Sequence, residues 1–201
     1  MVSPISNPPQ PTNTTRVSPN VEFFVEDAED EWVGKKYDFV HIRMVSGAIK
    51  DWAGLLAKAF DHLNPGGWLE VTEFEVWVHS YNNTMDNAPH IQQWQKGLYE
   101  ASLKFGRRMD VAVHLKEWLT DAHFEDVVEK KITVPTGAWP KDKYMKTLGA
   151  FQLMNMLDAA QSYGQAHFTR VLGWAPEEYE VLSGYVRTQL KDRKTQLYSD
   201  M

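Results

Sequence analysis

The sequence predicts an α/β fold: a parallel sheet with helices on both faces and a helical C-terminal part. Three observations predict it. From Tyr37 to Phe74 the chain reads strand, helix, turn, strand, the unit that makes two strands parallel through a right-handed crossover. Beyond it, apolar residues recur at helical spacing, as in Ile91, Trp94, Leu98, Ala101 and Phe105. The chain has 201 residues, 43% of them hydrophobic and 12% aromatic, enough to bury a sizeable core.

Taken in order, Met1 to Asn20 holds five of the ten prolines together with Ser, Thr and Asn. Residues 1–20 therefore read as a flexible Pro-rich segment and residues 21–201 as the folded domain. Val21 to Val25 is apolar and β-prone and reads as a strand. Glu26 to Glu31 follows, in its plainest reading a solvated acidic loop. Phe39-Val40-His41-Ile42 reads as a buried strand that ends at Arg43. One reading buries His41 against backbone and pairs Arg43 with an acid such as Glu73. The other notes that ligands of parallel sheets sit beyond the carboxyl ends of the strands. There Arg43 could hold a carboxylate by its planar fork and His41 could serve as a base.

Trp52, Leu55, Leu56, Ala59, Phe60 and Leu63 form one helix face. Asn64-Pro65-Gly66-Gly67 stops that helix, because Pro cannot continue it and Gly takes positive φ without steric cost. A strand follows from Trp68 to Phe74. After the helix marked by Ile91 to Phe105 comes another, marked by Val111, Leu115, Trp118, Leu119 and Ala122. Val127 to Val134 reads as a strand interrupted by Glu129-Lys130-Lys131. Lys143 to Leu157 reads as a helix, and Pro176-Glu177-Glu178 opens the last one, with Pro at its first position and acids at its positive end.

A net charge of −6 argues against a nucleic-acid partner. With no cysteine there is no disulfide, thiolate nucleophile or Cys-based zinc site. The seven histidines are scattered without metal-ligand spacing, and neither a Gly-x-Ser-x-Gly elbow nor a P-loop occurs. No apolar run reaches the roughly 20 residues of a membrane span, and the N-terminus lacks the apolar core of a signal peptide. The expected location is the cytoplasm, with the nucleus as the alternative.

Asp38-Phe39-Val40-His41-Ile42-Arg43, Ser46 to Trp52 and Leu63 to Glu70 together resemble the fourth strand, following helix and fifth strand of class I S-adenosylmethionine (SAM) methyltransferases. The nearest group is the fungal TAM-domain, LaeA-like enzymes. The likeness continues through Asp27 to Trp32, Gly137 to Lys143, Phe168 to Trp174 and Leu190 to Lys194. The resemblance implies a Rossmann-like sheet of order 3-2-1-4-5-7-6, SAM as cofactor and a small-molecule substrate. It also implies cofactor-binding residues. Asp27 would accept the adenine amino group and the amide of Ala28 would reach a ring nitrogen, while His41 and Arg43 would face donor and acceptor. Catalytic residues are not assigned.

By the same resemblance, Met1-Val2-Ser3-Pro4 stands at the end of the second strand, and the glycine-rich turn of the family is missing. Gly66-Gly67 follows a helix and leads into a strand, the reverse of the order required. The expected fold is therefore an incomplete class I methyltransferase, also without a final strand after Lys194. Strands without partners would bring a rearranged sheet, a homodimer or marginal stability. Three functions compete: a SAM-dependent methyltransferase of fungal secondary metabolism, truncated and weak or inactive; a methyltransferase-fold protein acting as cyclase, isomerase or binding and regulatory partner; and a fragment of a longer gene product.

Overall fold

The computed structural model describes residues 20–201. The proline-rich segment and the Met1–Pro4 correspondence thus lie outside the described residues, save Asn20. Strand β1 (Tyr37–Arg43) leads through helix α1 (Trp52–Asp61) to strand β2 (Leu63–Thr72). The two strands pair in parallel, as the strand–helix–strand pattern requires. Asp51 caps α1 by accepting from the Gly54 amide at 2.9 Å.

The helix ends at Asp61, before the Asn-Pro-Gly-Gly turn, and Leu63 already pairs with Tyr37. The turn is then a bulge inside β2, after which the ladder resumes at Phe39 and Trp68. Gly66 has a φ of 81°. A side chain on Gly67 would press on the Asn64 carbonyl at 2.9 Å and the Asp38 carbonyl at 3.1 Å. Val40, Ile42, Leu69 and Val71 pack with α1 and with helix α3 (Leu115–Asp121) in one core around Trp52, Leu55, Leu56 and Val111. Phe39 and Trp68, on the opposite face, are 53% and 69% exposed.

The second core is helical. Helices α2 (Pro89–Phe105), α4 (Lys143–Ala166) and α5 (Pro176–Leu190) enclose Trp94, Leu98, Phe168, Tyr179 and Val186. A π-helical turn, His167–Val171, extends α4 and buries Phe168. This core carries a three-stranded antiparallel sheet of order β3-β5-β4, formed by His79–Ser80, Leu197–Asp200 and Thr133–Pro135. The Glu75 amide donates to the Asp200 carbonyl at 2.8 Å, joining this sheet to the end of β2.

Three expectations are corrected. Val21–Val25 forms no strand; Val25 is 81% exposed, because no described segment pairs with it and β-propensity alone does not hold a strand. Of Val127–Val134, only Thr133 and Val134 lie in a strand. Most consequentially, a final strand exists: Leu197–Asp200 lies between β3 and β4, so the expected loss of partners for the sixth strand does not occur. Its alternation is disguised by polarity. Leu197 and Ser199 are buried, and Asp200 accepts from the Thr133 hydroxyl at 2.7 Å. The described strands thus make two sheets, a parallel pair β1-β2 and the antiparallel β3-β5-β4, within an α/β class I methyltransferase (Rossmann-like) fold.

Candidate functional site

The carboxyl ends of β1 and β2 are shaped by two glutamates. Glu29 reaches the N-terminus of α1, where its Oε1 accepts from the amides of Lys50 at 3.1 Å and Asp51 at 2.8 Å. A carboxylate is favoured there by the unpaired N–H groups and the helix dipole. The Asp51 amide is the main cause holding the Glu29 carboxyl below its ordinary pKa, with Lys50 and Arg107 adding to it against burial. Lys58 donates to the carbonyls of Glu29 and, at 2.8 Å, of Asp30. His62 bridges the Lys58 and Trp32 carbonyls at 2.8 Å each. The turn from Asp27 to Trp32 is thereby clamped onto α1.

Asp27 and Ala28 form the exposed front of that turn. Asp27 Oδ1 accepts from the Glu29 amide at 2.9 Å, and the Ala28 carbonyl accepts from the Trp32 indole at 3.0 Å. His41 and Arg43 are exposed at the end of β1. No ion pair joins Arg43 to Glu73 among the described residues, and no hydrogen bond joins either strand-end residue to the Asp27 turn.

Glu73 instead turns to the loop after β1. It is buried, and its Oε1 accepts from the Val45 amide at 2.6 Å and the Ser46 amide at 3.2 Å. Burial pushes its pKa up despite those two bonds. The loop it holds turns sharply, with φ of 55° at Met44 and 77° at Gly47. A side chain on Gly47 would meet the Tyr163 hydroxyl at 3.1 Å. That phenol is kept protonated by burial first and by the Glu73 charge second.

The far wall comes from the segment after α2. Arg107 donates to the Ala48 carbonyl and pairs with Glu29 Oε2 at 3.3 Å. Arg108 grips Asp110 by two bonds of 2.9 and 2.7 Å. Their mutual charge-assisted bonding lowers the Asp110 pKa and raises that of Arg108. His114 Nε2 stands 3.6 Å from Asp110.

Sequence reading singled out Asp27, Ala28, His41 and Arg43 but missed the side chains that fix them. Glu29 was hidden in an acidic run, and Tyr163 and Arg107 approach from distant elements with no local signature. Glu73 carried a weak signal, an acid at a strand's carboxyl end. Among the described residues, no group of three or more His, Asp or Glu could hold a metal ion, and no helix is long and apolar enough to cross a membrane.

Residues 2–130 match the family model described as a methyltransferase domain. The chain is similar to "Methyltransferase pytC" of Aspergillus terreus, with 36% identity over 92% of this chain and 57% of that protein. It is similar to "Probable methyltransferase tdiE" of Emericella nidulans, 32% identical over 92% of this chain and 59% of that protein. "Secondary metabolism regulator LAE1" of Cochliobolus heterostrophus is 28% identical, over 92% of this chain and 62% of that protein. The chain thus spans little more than half the length of these relatives.

Proposed function

This chain belongs to the methyltransferase-domain family, among LaeA-like fungal relatives, and we propose that it is a methyltransferase-like protein of fungal secondary metabolism that engages SAM through the Asp27–Ala28 turn. The observation that carries this reading is the clamp of Glu29 on the N-terminus of α1, which holds an exposed acid and an exposed amide beyond the carboxyl end of β1. The residues fit the adenine half of the cofactor. The Asp27 carboxylate has capacity beyond its single bond to Glu29, and the Ala28 amide makes no described hydrogen bond.

SAM supplies a methyl group already activated as a sulfonium, so the protein's part is to bind and align. In this reading Asp27 and Ala28 orient the adenine. Arg43 holds an anionic group of cofactor or acceptor, His41 takes a proton where the acceptor must lose one, and Glu73 keeps the intervening loop in shape. The glycine pair Gly66-Gly67 belongs to the bulge of β2, which supports weak SAM binding and little or no methyl transfer by this chain alone.

Calorimetry tests the reading. SAM is expected to bind with a dissociation constant of roughly a millimolar, and Asp27→Ala to weaken it by about tenfold. No heat at millimolar SAM for the unmodified chain would defeat it. The same glycine observation favours a second reading, a methyltransferase-fold protein that acts on a small molecule without methylating it. A product formed at the same rate with and without SAM would select that reading.

A further inference from the structure

We propose that Glu73 is a proton-operated latch on the turn Val45–Gly47: neutral, it holds the turn closed at the carboxyl end of β1, and ionised, it lets the turn open. The latch stands on this chain's own contacts. Its control over the cofactor rests on the Asp27 turn being the SAM site.

The turn depends on few contacts. Residues 45–51 belong to neither strand nor helix. Glu73 Oε1 accepts from the amides of Val45 at 2.6 Å and Ser46 at 3.2 Å. The Gly47 amide donates to the Arg108 carbonyl at 3.0 Å. Met44 enters the turn at a φ of 55°, a left-handed conformation that a side chain disfavours. Beyond the turn, Ile49 is buried in the core and Glu29 receives the amides of Lys50 and Asp51. The second half of the loop is thus anchored apart from Glu73, and the first half can move without it.

The two glutamates of this loop have opposite preferences. Helix amides and Arg107 favour the Glu29 ion and lower its pKa. Glu73 is 4% exposed and receives no such charge. Thr72 pairs with Arg43, whose side chain is exposed, and Arg108 is held by Asp110. Tyr163 faces Glu73 from α4 as a neutral phenol, and Glu75 is paired with His79 at 3.2 Å. Among the described residues no cation offsets the charge of Glu73. The two amides do so in part, and burial outweighs them, which raises its pKa. The Ser46 hydroxyl, buried without another partner, can bond either form of the acid. Ionised, the carboxylate is relieved by turning to water, and the turn it held is released. By linkage the open form gains about tenfold over the closed one for each unit by which closure raises the pKa.

Amide hydrogen exchange of the full nitrogen-15-labelled chain tests the latch, read as protection factors from about pH 5 to pH 8. Protection at Val45 and Ser46 is expected to fall as pH rises, about tenfold for each unit of raised pKa. Lys50 and Asp51, on Glu29, should keep theirs. In Glu73→Gln all four should be flat. In the unmodified chain, a carbon-13 titration of the Glu73 carboxyl should have its midpoint above 4.5. Protection at Val45 and Ser46 that ignores pH, or that falls equally in Glu73→Gln, would overturn the latch. So would a midpoint at or below 4.5, or a parallel fall at Lys50 and at buried Leu98 of α2, which would mean unfolding. A latch that titrates as expected but is untouched by roughly millimolar SAM would uphold this inference and count against the SAM site alone.

Discussion

Replacing Gly164 by alanine is expected to lower the stability of the chain by about 2 kcal/mol or more, a fall in melting temperature of about 5–10 °C. Gly164 lies on α4 where that helix meets α2 and α5. A Cβ there would overlap the Tyr179 hydroxyl and stand 2.9 Å from Trp94 Nε1. Neither neighbour can yield cheaply. Tyr179 is 1% exposed and donates to the Ala160 carbonyl at 2.6 Å, while Trp94 donates to the Tyr179 hydroxyl at 3.2 Å. Ser183 shares the same carbonyl at 2.8 Å. Overpacking costs about 1–3 kcal/mol and the displaced buried hydrogen bonds about 1–3 more, against a gain of about 1 kcal/mol in helix propensity. Gly184 on α5 has no atom within 4 Å of an added Cβ. Gly184→Ala should therefore stabilise by up to about 1 kcal/mol. Thermal melts of the two variants, side by side, separate close packing from helix propensity. Equal shifts would contradict the packing described for this core.

Glu73→Ala is expected to cost about 2–4 kcal/mol, because the amides of Val45 and Ser46 lose their common acceptor inside the protein. Glu73→Gln keeps an acceptor and removes the charge, and its effect depends on pH. The folded pKa of Glu73 is raised above the ordinary 4.5 by burial. A raised folded pKa means the folded chain binds the proton more tightly than the unfolded one. That contribution is fully present below the unfolded pKa and is lost as pH rises through the folded value. Measured by urea unfolding from pH 4 upward, wild type should lose ground to Glu73→Gln by about 1.4 kcal/mol for each unit by which the pKa is raised. A stability difference that does not change with pH would show that burial does not govern this carboxylate.

The β1–α1–β2 unit was legible because its signals are local. Trp52, Leu55, Leu56 and Ala59 repeat at helix spacing and are buried together, although the glycine turn proves to be a bulge inside the second strand, which already begins at Leu63. Val21–Val25 was over-read for the opposite reason: its β-propensity is real, but a strand also needs a neighbour. β5 was missed because a central strand was sought as a hydrophobic run. Leu197–Asp200 sits between two strands, and its inner face is made of Leu197 and the polar Ser199, while Asp200 on the other face accepts from Thr133. The site shows the same division. Asp27 and Ala28 were found through the family's motif, whereas Glu29, Tyr163 and Arg107 act at positions 21, 116 and 59 residues from the backbone they meet at Lys50, Gly47 and Ala48. No periodicity announces such contacts.

The account turns on the claim that the clamped turn and the loop after β1 are where this chain meets its cofactor. Amide chemical shifts of the nitrogen-15-labelled chain, followed as SAM is added to roughly millimolar concentration, test that claim directly. The account predicts that Asp27, Ala28 and Glu29 move together with Lys50 and Asp51. Shifts confined to the helical core around Trp94, Phe168 and Tyr179, or no shifts anywhere, would contradict it.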